Sequence, residues 1–268
     1  MRMVSVVGWT VGGIALCCAV ACGSSAPAEP PPEETTTSGE EQPPAPPPPP
    51  PPALVHVVHA SPDPGLSTFT IRLDDGPAVV TDLAAGSASG ALEVTPGSHA
   101  LHLLGVASVE TGEAPEVLAT SIEVDSGAHP MVIVYGEPSA EPPLTVRVLD
   151  EDTSESATRV RLLHGLVGVG TLDVCVGGTP LAAGLAPGTM APIASLAEGS
   201  VALVVHAASP NACHGRAVGT AHATLAAGTA YIATITGHSG RRGRVTGALV
   251  VCSEGADTAC ASATLGAR

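Results

Sequence analysis

From residue 53 onward, hydrophobic and polar positions alternate in short runs that turn residues interrupt. Runs rich in Val, Leu, Ile and Thr recur about every 8 to 12 residues, and clusters of Gly, Pro, Asp and Ser separate them. Short apolar runs at this spacing are typical of strands in a β-sandwich. The pattern therefore predicts an all-β fold, immunoglobulin-like or transthyretin-like in architecture.

The first half of this region contains the clearest strand pattern. The turns at 74–76, 95–98 and 125–127 carry the expected residues, since Gly supplies a positive φ and Pro or Asp begins the bend. The predicted strands are 54–60, 68–73, 90–94, 99–104, 117–124, 131–135 and 144–149.

The second half repeats the first at an offset of about 101 to 105 residues. Residues 55–59 (VHVVH) align with 160–164 (VRLLH), 97–101 with 199–203, and 127–136 with 228–237. The last pair of segments begins and ends with Gly, so Gly237 is expected to close a strand. Three anchors in one order predict a tandem duplication.

The duplication implies two domains of the usual size for a single core. We predict one β-sandwich over residues 53–152 and a second over 157–268. The acidic segment 150–155 (DEDTSE) is then the linker between them.

The N-terminus has the features of an export signal. Arg2 is followed by uncharged, mostly apolar or small residues as far as residue 28. Residues 19–22 (AVAC) resemble the lipobox of bacterial lipoproteins, with Ala19 where Leu is usual. We therefore predict a signal peptide over residues 1–21 and lipid attachment at Cys22. The alternative is an uncleaved anchor helix, because about 20 apolar residues can span a bilayer.

Residues 22–52 show no hydrophobic periodicity and are rich in Pro, Glu, Ser and Thr. Such a composition cannot bury a core and favours a disordered or polyproline II stalk. A proline-rich ligand for an SH3-like groove is the alternative interpretation. Gly23, where many inner-membrane lipoproteins have Asp, favours the outer membrane, on its periplasmic or its surface face.

Composition excludes some classes of function. Without the signal segment only Phe69, Tyr135 and Tyr231 supply aromatic rings, too few for a single-stranded nucleic-acid groove that stacks successive bases. The formal charge of −15 also opposes contact with a phosphate backbone. Nucleic acid is therefore not an expected partner.

Four of the seven cysteines fall in the second predicted domain: Cys175, Cys213, Cys252 and Cys260. An exported protein can form disulfides, and four cysteines allow three pairings. We favour Cys175 with Cys213 and Cys252 with Cys260, because the second bond would hold the Gly- and Ala-rich tail. Reduced Cys213 with His214 could instead bind a soft metal.

No pattern in the chain predicts catalysis, a cofactor or a metal. The segment 86–90 (GSASG) has Ala where a nucleophile elbow requires Ser. His56 and His59 are three residues apart on a predicted strand and should point to opposite faces. His59 and His164 align between the repeats, so we expect a shared structural histidine.

Charge differs strongly between the two halves. Residues 53–157 hold sixteen acidic and two basic side chains, net −14, whereas residues 158–268 hold four and seven, net +3. Docking of the domains through opposite charge is one hypothesis. Arg241, Arg242 and Arg244 cluster in a predicted hairpin turn, where they form either an anion-binding site or a solvated loop.

Several motifs together resemble the bacterial domain-of-unknown-function family 4397. They are residues 57–63 (VVHASPD), 70–76 (TIRLDDG) and the Pro96–Gly97 hairpin. The second half departs from the motif, since 165–168 reads GLVG where ASPD is expected. The resemblance implies exported, often tandem β-sandwich domains and supplies no catalytic residue.

Together these observations predict an envelope lipoprotein, anchored in a membrane through Cys22, that acts as a non-catalytic binding, adhesion or structural module. The expected partners are an anionic envelope glycan or another envelope protein. The alternatives are an accessory subunit of an envelope complex and an envelope hydrolase, which would need a converging acid/base or metal site.

Overall fold

The structure is a computed structural model that describes residues 46–107, 112, 114–150, 157–240, 244–255 and 258–266. Cys22, most of the predicted stalk, most of the acidic linker and two of the clustered arginines, Arg241 and Arg242, lie outside these residues. Residues Pro48–Arg268 form one compact unit. The regular structure of its described part is β-strand, apart from a short 3-10 helix at Pro64–Leu66, which confirms the predicted all-β fold of tandem sandwiches.

The first sandwich contains eight strands in two sheets, β4-β1-β7-β8 and β3-β2-β5-β6. The neighbouring strands β1 and β7 are parallel, and the other pairs are antiparallel. Apolar side chains from the inner faces, with Phe69 and Ile71 among them, form its core. The strands are β1 (Ala53–Ala60), β2 (Thr68–Leu73), β3 (Ala78–Ala84), β4 (Leu92–Val94), β5 (Gly97–Leu104), β6 (Glu116–Val124), β7 (Met131–Tyr135) and β8 (Thr145–Leu149).

All seven predicted strands lie within two residues of the observed bounds, but β3 was not predicted. It is an edge strand in which only Leu83 is buried. Asp82, with a φ of 53°, also interrupts its alternation. Because an edge strand needs few apolar residues, β3 leaves little trace in the hydrophobic pattern.

The second sandwich repeats this topology with sheets β12-β9-β15-β16-β17 and β11-β10-β13-β14. Each strand from β9 to β16 corresponds to one from β1 to β8, and β17 is an addition at the sheet edge. The strands are β9 (Arg159–Val167), β10 (Leu172–Val176), β11 (Thr179–Leu185), β12 (Ala194–Ser195), β13 (Gly199–Ala207), β14 (Ala217–Leu225), β15 (Ala230–Ser239), β16 (Val245–Ser253) and β17 (Cys260–Thr264).

Strand register makes the equivalence of the repeats specific. His59 lies opposite Val134 in the parallel pair β1 and β7, and His164 lies opposite Ile235 in the pair β9 and β15. One expectation is wrong: Gly237 does not close its strand, because β15 continues to Ser239. It lies opposite Gly247, and this backbone approach leaves no space for a Cβ on either strand.

The two sandwiches pack through the outer faces of β1 and β7 in the first and of β9, β15 and β16 in the second. The result is four layers of β-sheet with a third apolar core between the middle two. Its fully buried members are Val58, Ala60, Ile133, Leu163, Ile232, Val250 and Cys252. Burial of apolar side chains therefore stabilises this interface, and docking through opposite charge stays a prediction.

Reciprocal contacts show that the two sandwiches are related by an approximate two-fold axis. A Cβ on Gly165 would lie 3.6 Å from the Cβ of Tyr135. In the equivalent place on the other side, the Thr236 hydroxyl donates to the carbonyl of Ala60 at 2.5 Å. Gly165 is equivalent to Ala60, and Thr236 is equivalent to Tyr135. The contact between these two positions therefore occurs once on each side of the axis.

Candidate functional site

A buried histidine occupies the same place in each sandwich. The Nε2–H of His59 donates to the Leu66 carbonyl at 2.6 Å, and its Nδ1 accepts from the Ser61 amide at 3.3 Å. In the second sandwich, Nε2–H of His164 donates to the Gly170 carbonyl at 3.0 Å, and Nδ1 accepts at 3.2 Å from the amide of Leu166. Both ring nitrogens are thus engaged by the backbone.

These bonds require the neutral ring. An added proton on Nδ1 would face an amide N–H, and burial disfavours the charge further. Burial lowers the pKa of His59 to about 4, despite the opposing hydrogen bond to Leu66. Burial also lowers the pKa of His164. Each histidine therefore holds the end of its strand, β1 or β9, against the segment that follows that strand.

His56 and His59 lie on opposite faces of β1, as period-two geometry predicts. His59 faces the first core beside Phe69, whereas His56 shares the outer face with Val58. His99 Nδ1 lies 2.9 Å from an oxygen of Asp74, a hydrogen bond that raises the pKa of His99. His102 Nδ1 lies 2.6 Å from an oxygen of Glu116. Within the described residues no three of His, Cys, Asp or Glu converge as a metal site would need.

Both predicted disulfides are present. Cys175 on β10 is bonded to Cys213 in the loop after β13, and Cys252 on β16 is bonded to Cys260 on β17. The second bond joins residues directly opposite in the β16 and β17 register. It fastens the added edge strand beside the core between the sandwiches.

Equivalent strands of the two sandwiches, such as β1 and β9, run in the same direction. The chain enters the first sandwich beside the β6–β7 turn, where Pro51 O accepts from Gly127 N at 3.2 Å. At the opposite end, the amide of Gly168, which follows β9, donates to the Glu141 carbonyl in the β7–β8 loop at 3.1 Å. Strands β1, β7 and β9 therefore finish together, at what we call the far end.

A concave site of about 470 Å³ lies at the far end of the second sandwich. Gly168 and Gly170 form one wall, Ser239 and Val245 from the β15–β16 hairpin form another, and Arg216 lines it. Arg244, exposed, immediately precedes Val245, and Arg241 and Arg242 lie outside the described residues. Sequence reasoning missed Arg216, because only the loop after β13 brings it to the hairpin.

A second cavity, of about 230 Å³, lies between the sandwiches. Ser61, Pro62 and Gly86 contribute from the first sandwich, and the ends of β15 and β16 with Ser262 of β17 contribute from the second. Most of the cavity surface is apolar, because small side chains and the Cα atoms of Gly86, Gly237 and Gly247 form much of its lining.

Comparisons with known proteins add no assignment. No family model matches the chain, and a search of curated proteins finds no match. Within the described residues there is also no helix of sufficient length and hydrophobicity to cross a bilayer.

Proposed function

We propose that this protein is an envelope lipoprotein, anchored through Cys22 in the outer membrane, whose fused pair of β-sandwiches acts as a non-catalytic binding module. The tandem copies resemble exported domains of family 4397, and the lipobox-like segment 19–22 precedes them. Acyl chains contribute about 0.8 kcal/mol for each buried CH₂, so the three chains of a processed lipoprotein N-terminus would anchor the protein firmly.

The observation that carries the proposal is the concave site at the far end. Arg216 lines it, and Arg244 lies beside its hairpin wall. Guanidinium groups bind carboxylate, sulfate and phosphate through paired N–H donors. An anionic envelope glycan is therefore the partner that this end of the molecule fits, in an otherwise acidic chain.

Binding to dextran sulfate, with neutral dextran as the control ligand, tests the partner. A variant with Arg216, Arg241, Arg242 and Arg244 changed to Ser should lose salt-sensitive binding, whereas the matched Arg-to-Lys variant should retain most of it. Equal binding of dextran sulfate by both variants and by the native protein would contradict the proposal.

Protease accessibility on intact cells tests the anchor, with a tag placed in the second sandwich. The native protein should remain with the membrane fraction, and the Cys22→Ala variant should be released or mislocalised. Cleavage of the native protein on intact cells would assign it to the surface, and protection until the outer membrane is opened would assign it to the periplasm. Identical fractionation of the native and variant proteins would contradict lipid attachment.

A further inference from the structure

The approximate two-fold axis between the sandwiches is broken at one pair of equivalent positions. Gly188, in the loop after β11, and Gly86, in the loop after β3, are equivalent. The amide of Gly188 donates to the His164 carbonyl at 2.8 Å, and that of Gly86 donates to the His59 carbonyl at 2.7 Å. Both have a positive φ, 70° and 81°.

On the Gly188 side, two large side chains of the first sandwich fill the space against the glycine. Tyr135 donates its hydroxyl to the carbonyl of Gly188 at 3.2 Å, and Arg147 Nη2 donates to the same oxygen at 3.1 Å. A Cβ on Gly188 would also lie 3.4 Å from the Cβ of Pro142. The Gly188 carbonyl therefore accepts hydrogen bonds from a phenol hydroxyl and from a guanidinium group.

On the Gly86 side, the equivalent residues are small. According to the strand registers, Thr236 in the second sandwich is equivalent to Tyr135 in the first, and Val250 is equivalent to Arg147. The Thr236 hydroxyl is already donated to Ala60 O, and Val250 has no donor. Both residues and Gly86 line the cavity of about 230 Å³.

We propose that this cavity binds a phenolic ring, which takes the place that the Tyr135 ring holds on the other side. The ring would lie against the backbone of Gly237 and Gly247, and its hydroxyl would donate to the carbonyl of Gly86. Pro62, Ala248 and Val250 supply apolar contact around it. The ligand is a free phenol or a tyrosyl side chain of a partner, which share this chemistry.

This site shares no lining residue with the arginine site, although both adjoin the β15–β16 hairpin, and it does not depend on membrane anchoring. Its lining differs too, because it includes the imidazole of His238, whose Nδ1 lies 4.0 Å from Oε1 of Glu137. The imidazole is therefore available to a polar substituent on the ring.

Titration of the full chain with p-cresol, followed by amide NMR shifts, tests the proposal. The amides of Gly86, Gly237 and Gly247 should shift, and toluene, which lacks the hydroxyl, should bind about tenfold more weakly because it forms no hydrogen bond. N-acetyltyrosinamide as a second probe separates the two sources: binding as tight as that of p-cresol indicates a tyrosyl side chain, and weaker binding indicates a free phenol.

Two variants fill the cavity from different strands. Ala248→Leu and Ser262→Leu should each weaken p-cresol binding at least about tenfold, since a cavity of this size has no room for both the leucine side chain and the p-cresol ring. Ser262 is exposed, so its variant keeps the test valid if Ala248→Leu folds poorly. Thr145→Leu is the matched control, because Thr145 is the equivalent of Ala248 on the filled side.

Three results would overturn the proposal. They are equal binding of p-cresol and toluene, unchanged affinity in Ser262→Leu, and shifts centred on Gly188 instead of Gly86.

Discussion

The hydroxyl of Tyr135 in the first sandwich donates a hydrogen bond of 3.2 Å to the carbonyl of Gly188 in the second. Tyr135 ends β7, and its ring lies among the apolar residues of the interface. Gly188 belongs to a loop that is itself bonded to the buried strand carrying His164. The contact therefore links the central strands of both sandwiches, and the pair should unfold as one cooperative unit.

Removing an apolar side chain from the interface should destabilise both sandwiches together. Ile133 is fully buried between them. Ile133→Ala should lower the free energy of unfolding by about 2–5 kcal/mol because it leaves a cavity. Urea unfolding followed by circular dichroism measures the change.

Ile193→Ala is the control for this substitution, since Ile193 is 53% exposed. It should change the free energy of unfolding by no more than about 0.5 kcal/mol. Two separate unfolding transitions in Ile133→Ala, with one unchanged, would contradict a single cooperative unit.

The buried histidines predict a loss of stability in mild acid. The pKa of His59 is about 4 in the folded state, against an ordinary value of 6.5 for a solvated histidine. Between these values the unfolded chain binds more protons, so stability falls as the pH falls from about 6.5 towards 4. From pH 7 to pH 5 this one residue should cost about 2 kcal/mol of stability, and His164 acts in the same direction.

Urea unfolding of the native protein and of His59→Gln at both pH values tests this assignment. Gln can still donate to the Leu66 carbonyl but does not titrate, so the variant should be less sensitive to pH. An unchanged difference in stability between pH 7 and pH 5 would show that His59 is not responsible. His99 shifts in the opposite sense, because Asp74 raises its pKa.

The two disulfides should contribute unequally. They close loops with sequence separations of 38 and 8 residues. Loop-entropy estimates give about 4 kcal/mol for Cys175–Cys213 and about 2.5 kcal/mol for Cys252–Cys260. Paired Cys-to-Ser variants, unfolded under oxidising conditions, measure each contribution. A larger loss from the short loop would mean that contacts of β17 outweigh chain entropy.

An ion pair in the second sandwich should also be important for stability. Arg161 pairs with Glu254, whose side chain is 3% exposed, and also donates to the Asp150 carbonyl at 2.6 Å. Arg161→Ala leaves a buried carboxylate without this partner and should cost about 3–5 kcal/mol. Thermal unfolding measures the loss.

Arg244→Ala, at an exposed arginine, is the control for the ion pair. The double variant Arg161→Met with Glu254→Leu should recover part of the stability, because it removes both charges. A double variant no more stable than Arg161→Ala would show that packing, not charge, accounts for the loss.

Much of the fold could be predicted from local sequence. Apolar residues predict both strands, alternating in β2 and continuous in β7, and turn residues predict where strands end, because these are short-range preferences. The pairing of Cys252 with Cys260 was predictable because the two cysteines lie close together in the sequence. The equivalence of His59 and His164 was predictable because the repeats keep their order.

The sequence by itself determined the repeat and every strand of the first sandwich except β3, and it favoured the disulfide pairs that the structure contains. The tertiary structure alone decided that the outer faces of two sheets pack together, that Arg216 reaches the far-end site, and that Tyr135 fills a space which Thr236 leaves open. These features depend on which faces meet. The continuous apolar run of β7 predicts a strand that is buried on both faces, but it does not identify the sheet that covers the second face. The physical reason is that contact between layers joins residues far apart in the chain, 53 positions for Tyr135 with Gly188 and 176 for Ala60 with Thr236, where local preferences carry no information.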